Sequence, residues 1–460
     1  MKRNSQKTPR LLYIEPVVML TTIVQWLILA TATGAIVGSG TSLFLHGLFF
    51  SIDRTAAIPL WLQMILLPLA GLLNGLALFY GYKANRTGLG DSVIAAVHKQ
   101  SGRMPFVTIA IKPVAAIITL ASGGSAGKEG PCSHIGGSLA AALGEAFGLN
   151  PELRKRLVAC GVSAGFASVF GTPIAGAIYG VEVLAIGSVR QDFLLPAIIA
   201  GIVSFRVSRF WGVGYQYYHI GTLPPFSEAL FLKIIVLGIV CGLIAGIFVE
   251  AIGLAHRVTT WIRYRFHLWP PLMPLFGGLV LAALILIIPR EYLGLSLPVM
   301  DRALAGGATP YLGFLWKILL VAVTLGSGFY GGIVTPQFVI GALAGNVLAH
   351  IIGIPPVLGA AAGLTAVVAA ASNTPIAAIL MEVELFNSAS GLGYVAAAAI
   401  AAYVMIGHRS VYPDQLVQYP KTSWLNYGSG RALSEAKIRP SHELLKWLIR
   451  LRTSRGRRWR

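Results

Sequence analysis

The chain has 460 residues, of which 55% are hydrophobic and only 12% are charged. Soluble domains carry about 25% charged residues, so this composition cannot cover the surface of a soluble globular enzyme. The mean hydropathy of +0.73 also excludes a disordered chain. The composition is that of a protein that crosses a membrane several times.

Positive charge is concentrated at the two ends of the chain. The formal net charge is +19; residues 1–10 hold four basic groups and no acid, and residues 431–460 hold ten basic groups against two acids. Basic segments that flank apolar spans mark the cytoplasmic side of a membrane and contact lipid phosphates. We therefore expect the lipid bilayer, and not nucleic acid, as their partner, and both termini in the cytoplasm.

The sequence shows no pattern of catalytic or cofactor chemistry. Cys132, Cys160 and Cys241 lie in apolar stretches without paired spacing, so we expect small buried residues and neither disulfides nor a metal site. No nucleophile–base or metal-ligand pattern accompanies them. A membrane-embedded enzyme is therefore not favoured, and no cofactor is expected.

Apolar tracts follow one another along the chain, and several are shorter than the roughly 20 residues of a straight span. Glycine and proline interrupt many of them. Broken helices at membrane depth are tolerated where protein or a water-filled cavity surrounds them. We predict an all-α polytopic membrane protein with tilted and broken helices. Its apolar tracts include 234–249, 272–288, 318–349, 351–381 and 391–407.

The chain contains an internal repeat. Lys112–Gly136 aligns without a gap on Lys317–Gly341, with nine identical positions at an offset of 205, and Thr172–Val183 aligns on Thr374–Leu385 at an offset of 202. Inverted repeats are typical of transporters, which bind their substrate between the halves. The predicted parts are an N-terminal tail over 1–11, membrane repeats over 12–206 and 229–412, a linker over 207–228 and a basic tail over 413–460.

Each repeat contains a Gly-x-x-x-Pro element that leads into an apolar helix, at 127–131 in the first and 332–336 in the second. Proline suits the first helical turn, and glycine lets backbone N–H groups approach a ligand closely. A helix amino end carries about half a positive charge, so two such ends could bind one anion without a buried cation. The alternative is a pair of glycine turns that only pack helices together.

Glu129 lies inside the first element, where the second repeat has Val334. An ionised carboxylate can occupy an anion site, and a protonated or displaced one leaves it free, so Glu129 is predicted to gate the site. Acidifying the outside is then expected to raise anion flux. The alternative is a glutamate that only stabilises its helix amino end.

Three segments carry a family resemblance. GKEGPCSHIGG at 127–137 resembles the Gly-Arg/Lys-Glu-Gly-Pro signature of the CLC chloride channels and chloride/proton antiporters. GGIVTP at 331–336 is similar to that family's second-half Gly-x-Phe-x-Pro element, and IGHRSVYPDQ at 406–415 is similar to its last pore segment. The resemblance covers 12–415 and implies chloride transport by a homodimer with one pathway per subunit, in a prokaryotic inner membrane.

The resemblance also implies roles for individual residues. Glu129 would be the external gate. The implied anion-binding groups are the backbone amides near Lys128 and Gly130, those of Ile333 and Val334, and the hydroxyl of Tyr412. Val334 stands where the family has phenylalanine, which does not affect a backbone donor.

The family's first element, Gly-Ser-Gly-Ile-Pro, is matched only by Gly88, Leu89 and Gly90, followed by Asp91 and Ser92. The serine whose hydroxyl touches the central anion in that family is replaced by Leu89. Anion selectivity is therefore open, and fluoride is an alternative to chloride.

Val183 occupies the position at which proton-coupled family members often carry an inner glutamate. This favours a passive channel, whereas an anion/proton antiporter remains the alternative. A one-residue shift would make Glu182 the proton carrier. Glu182 and Glu384 are equivalent in the repeat, so both are also candidates for structural helix-end glutamates.

The tail that follows Tyr412 has fewer than 50 residues, too few for the paired CBS domains of some relatives. Residues 443–451, ELLKWLIRL, place leucines opposite basic residues. We predict a basic helix that lies at the membrane surface, with a partner-binding helix as the alternative.

Overall fold

A computed structural model describes residues 11–84, 92–219, 226–389, 391–426, 428–436, 439–443 and 446. These residues form sixteen α-helices and five two-residue strands. The helices of the first half are α1 (Leu11–Ala56), α2 (Leu60–Ala84), α3 (Val93–His98), α4 (Thr108–Ser122), α5 (Glu129–Ala146), α6 (Pro151–Phe170), α7 (Pro173–Glu182) and α8 (Leu194–Phe210). Those of the second half are α9 (Glu228–Arg265), α10 (Leu272–Leu284), α11 (Leu297–Leu304), α12 (Gly313–Gly326), α13 (Val334–Ile352), α14 (Pro356–Ala371), α15 (Pro375–Leu385) and α16 (Leu392–Met405).

The two halves repeat the same order of eight helices. Helix α5 begins at Glu129 and α13 at Val334, and α6 begins at Pro151 and α14 at Pro356, so both pairs keep the 205-residue offset. Packing repeats as well: α5 packs on α6 as α13 packs on α14, and α1 packs on α8 as α9 packs on α16. The duplication read from the sequence therefore extends to the fold. The last helix of the first half, α8, ends at Phe210. This is four residues beyond residue 206, the predicted end of the first membrane repeat.

Small residues set the close packing inside each half. A Cβ added to Gly341 or Gly345 of α13 would lie 2.4 or 2.0 Å from the carbonyl oxygen of Gly363 or Gly359 of α14. In the first half, a Cβ on Gly136 of α5 would lie 2.0 Å from a carbonyl oxygen of α6. These helices approach so closely that only glycine fits, as is common in membrane proteins.

Among the described helices, five are long and apolar enough to cross a membrane. Several others are apolar but have only 10–17 residues, as the sequence tracts predicted. Many large apolar side chains of the long helices face outward, which suits lipid and not water. The candidate spans are 14–56, 60–81, 191–210, 228–265 and 334–352.

The segment after α16 contains small strands that the sequence did not predict. Strand β1 (Ala185–Ile186) pairs in parallel with β2 (Leu416–Val417), which pairs antiparallel with β4 (Arg431–Ala432). A second pair joins β3 (Leu425–Asn426) to β5 (Arg439–Pro440). The first part of the tail is thereby attached to the end of α7. Most of the predicted 443–451 helix lies outside the described residues.

Candidate functional site: two helix amino ends and one carboxylate

The loops that precede α5 and α13 meet at the centre of the molecule. The N–H of Gly127 donates to the carbonyl oxygen of Gly332, and the N–H of Gly332 donates to that of Gly127, both at 2.7 Å. The two glycines are 205 residues apart and therefore occupy the same position in each repeat. This pairing brings the amino ends of α5 and α13 close together, as the Gly-x-x-x-Pro elements predicted.

The side chain of Glu129 crosses from α5 to the amino end of α13. Its Oε1 accepts the backbone N–H of Val334 at 2.5 Å, and its Oε2 accepts the hydroxyl of Thr335 at 2.7 Å. Only 1% of the residue is exposed. A carboxylate that takes a backbone N–H and a hydroxyl at a helix amino end occupies a place suited to an anion.

A buried lysine holds the loop that carries this site. The Nζ of Lys317 on α12 donates to Ser125 Oγ, Ser296 Oγ and the carbonyl oxygen of Gly294, each at 2.8 Å. The backbone N–H of Ser125 also donates to the Thr324 hydroxyl at 3.0 Å. These bonds fix the loop of the first half to a helix of the second, four residues before Glu129.

Two cavities reach residues next to Glu129. One, the Tyr412 cavity, has a volume of about 200 Å³ and is lined by Gly130, Tyr179 and Tyr412 among others. The other, the Lys128 cavity, has about 230 Å³, and Lys128 and Thr335 are part of its lining. Gly130 follows Glu129 in the chain and Thr335 donates to its carboxylate, so each cavity reaches a residue beside Glu129, and these two residues are equivalent in the repeat.

The residues singled out from the sequence fall around this arrangement. Ile333 immediately precedes α13, and Val334 contributes its N–H to Glu129. The Nζ of Lys128 lies 5.1 Å from the centre of the Phe49 ring. The hydroxyl of Tyr412 lies 3.1 Å from that of Tyr179. Gly88, Leu89 and Gly90 lie outside the described residues.

Two site residues were missed by the sequence reading. Thr335 lies within the second Gly-x-x-x-Pro element, but only backbone donors were assigned there. Tyr179 lies in the second matched segment of the repeat, where an aromatic residue on a short apolar helix gives no separate signal. Both residues line the cavities beside Glu129, Thr335 the Lys128 cavity and Tyr179 the Tyr412 cavity.

Glu182 and Glu384 form a reciprocal pair across the repeat. The Glu182 carboxylate accepts the backbone N–H groups of Ile376 and Ala377 at the start of α15. The Glu384 carboxylate accepts those of Ile174 and Ala175 at the start of α7. Glu182 ends α7 and caps the start of α15, whereas Glu384 lies at the end of α15 and caps the start of α7. These contacts favour the structural alternative for Glu182 over the proton route.

Glu182→Ala and Glu384→Ala are therefore expected to lower stability alike. Each substitution removes two hydrogen bonds to a charged group, a loss of about 2 kcal/mol or more. Thermal unfolding in detergent measures this loss, and each variant is the repeat-matched control of the other. Proton movement lost in Glu182→Ala alone would instead assign Glu182 to the proton route.

A fold of duplicated broken helices with an anion-like carboxylate between two helix amino ends defines an integral membrane protein that transports anions. The family model of voltage-gated chloride channels matches residues 70–407. The chain belongs to this family, the CLC family, as the signature segments indicated, and the predicted fold class is confirmed.

Curated relatives and solved structures agree with this membership. A chloride/fluoride channel protein of Pseudomonas syringae pv. tomato is 36% identical over 88% of this chain and 89% of its own. A putative ClcB-like chloride channel protein of Ralstonia nicotianae is 28% identical over 80% and 88%. The crystal structure of a CLC-type fluoride/proton antiporter has a TM-score of 0.78 at 28% identity, covering 85% of this chain and 97% of that one. A slow cyanobacterial Cl⁻/H⁺ antiporter, at 21% identity and a TM-score of 0.67, shares the fold.

Proposed function

We propose that this protein exchanges fluoride for protons across the membrane, with Glu129 as both gate and proton carrier. One observation carries the proposal. The buried Glu129 carboxylate occupies the donors of Val334 and Thr335 between the two cavities. An anion can use these donors only after the carboxylate has left them.

Protonation provides the means of leaving. A protonated carboxyl group has no charge with which to hold the amino end of α13, so the bonds from Val334 and Thr335 weaken. Anion entry is thereby linked to proton uptake on Glu129, and re-ionisation returns the carboxylate. Exchange, and not leakage, results when the proton reaches Glu129 from one side of the membrane and the anion enters from the other, because each ion then leaves towards the side from which the other came.

Fluoride fits the donors better than the larger halides. The position offers one backbone N–H and one hydroxyl to its occupant, and fluoride is the halide that accepts hydrogen bonds most strongly. The replacement of the usual serine by Leu89 is a departure from the chloride pattern. The Pseudomonas relative named for chloride and fluoride, and the solved fluoride/proton antiporter, support this choice.

A passive chloride channel is the second candidate function. Val183 lines the Tyr412 cavity, and no carboxylate is among the described side chains that line this cavity. Among the described residues, this lining provides no acidic group that could pass a proton to Glu129. This observation favours the channel unless Glu129 itself reaches the Tyr412 cavity.

The oligomeric state, the membrane and the orientation of the termini belong to the same proposal. Repeats over 12–206 and 229–412 would form one pathway in each subunit of a homodimer in a bacterial inner membrane. Both termini would be cytoplasmic, and the basic tail over 413–460 would contact lipid phosphates.

Purified protein in liposomes tests the function. With a fluoride gradient imposed, fluoride release and internal pH are followed together. Antiport predicts that fluoride leaving the vesicles drives protons inward against their own gradient. Loss of fluoride or chloride without proton movement would establish the channel instead. Proton exchange with chloride but not with fluoride would show that chloride is the transported anion.

Thr335→Val is expected to reduce the preference for fluoride over chloride by about tenfold, because it removes one hydroxyl donor to a charged acceptor. The same liposome assay with both anions measures it. Thr365→Val is the control, since the Thr365 hydroxyl donates only to the carbonyl oxygen of Ala361 in its own helix. An unchanged preference for fluoride over chloride in Thr335→Val would show that the Thr335 hydroxyl does not bind the transported anion.

A further inference from the structure

A buried amide is joined through one serine to the tyrosines of the Tyr412 cavity, and its N–H has no partner among the described residues. Gln337, on the first turn of α13, is fully buried. Its Oε1 accepts the hydroxyl of Ser372 at 2.9 Å, whereas its Nε2 has no hydrogen-bond partner among the described residues. A buried N–H left unpaired costs free energy, so such a group is expected to receive a partner that comes and goes.

The amide is connected to the anion pathway through hydroxyl groups. Ser372 lies beside the hydroxyls of both Tyr179 and Tyr412. Those two tyrosines contact each other at 3.1 Å and line the Tyr412 cavity. Gln337 also follows Val334 by three residues, so the two side chains lie on the same face of α13, and the N–H of Val334 is the one that holds Glu129.

The four side chains are all neutral. Together they offer N–H and O–H groups without a buried cation, and an anion that binds neutral donors can leave again easily. The repeat shows that this is a feature of the second half only, because the position equivalent to Gln337 is Cys132, which has no comparable donor.

We propose that the Gln337 amide N–H binds the transported anion on the Tyr412 side of Glu129. Ser372 is then a positioning residue for Gln337, and Tyr179 is a positioning residue for Tyr412. The inference rests on the proposed function and adds a donor to its pathway. Fluoride leaving the Val334 and Thr335 donors would meet the Gln337 amide and the Tyr412 hydroxyl next. The Gln337 amide then gives the anion a polar partner, whereas Leu89, which replaces the family's serine, has no hydroxyl to offer.

Gln337→Met in liposomes tests the donor. The variant keeps the length of the side chain and removes the amide, so the KM for fluoride is expected to rise about tenfold, as for one lost hydrogen bond to an ion. Gln63→Met is the matched control, because Gln63 is also a buried glutamine with an atom that has no partner among the described residues, but it lies on α2 and lines a different cavity. Gln337→Glu keeps an acceptor for Ser372 and places a carboxyl group at the donor position, so it should raise the KM further.

The outcomes separate this inference from the proposed function. If the wild type exchanges fluoride for protons and the KM of folded Gln337→Met and Gln337→Glu is unchanged, the donor role is wrong and the function stands. If the wild type moves no fluoride, the function itself fails, and the same variants are measured with chloride. Tyr179→Phe separates positioning from binding. It should raise the KM for fluoride when Tyr412 is present, and the double variant Tyr179→Phe/Tyr412→Phe should have the same KM as Tyr412→Phe alone.

Discussion

Replacing Glu129 with glutamine is expected to abolish proton movement while anions continue to pass. Glutamine cannot bind and release a proton at this position, and its uncharged amide competes weakly for the donors of Val334 and Thr335. Proton flux should fall to the level of empty liposomes. The rise of anion flux on external acidification should disappear as well, because that rise depends on protonation of the Glu129 carboxylate.

The measurement is anion and proton flux at several external pH values, with Glu145→Gln as control. Glu145 lies on the same helix, and its nearest cation, Arg103, is 3.9 Å away on an exposed surface. It should behave as the wild type does. A pH response that survives in Glu129→Gln would show that another group provides the gate.

Gly332→Ala should reduce transport about a hundredfold, the effect of misplacing reacting groups by about 1 Å. A Cβ at this position would lie 2.2 Å from Oε1 of Glu129 and 2.7 Å from the backbone nitrogen of Gly130. The carboxylate can move aside, but the backbone of Gly130 cannot without breaking the Gly127–Gly332 bridge. Both the gate and the approach of the two helix ends are therefore affected.

Gly393→Ala is the control for this substitution, since a Cβ there has no neighbour within 4 Å. Its flux and thermal unfolding should match those of the wild type. Wild-type flux in a folded Gly332→Ala variant would mean that the bridge is not part of the pathway.

The central feature of the site could be predicted from the sequence because it depends on a duplication. Once two Gly-x-x-x-Pro elements align at one offset, the physics of helix amino ends predicts an anion between them. Glu129 is the one acidic residue in the two elements. The structure adds the reason for a single carboxylate. Glutamates at both positions 129 and 334 would face each other across the bridge and repel, whereas Val334 leaves its N–H free for the other half.

Other parts depend on contacts that the sequence does not reveal. The caps made by Glu182 and Glu384 require α7 and α15 to lie antiparallel, which no local pattern encodes. Tyr179 becomes a site residue only because the segment after α16 brings Tyr412 to it. The strands of the tail have two residues each, too few for the alternation by which strands are recognised.

Fluoride binding to the detergent-solubilised protein, measured by calorimetry, tests most directly whether the Glu129 carboxylate and the anion compete for the same donors. At neutral pH, Glu129→Gln should bind fluoride about tenfold or more tightly than the wild type, because the competing carboxylate no longer occupies the site. Lowering the pH should bring the wild type towards the variant. Equal affinities of the two proteins at neutral pH would contradict the competition.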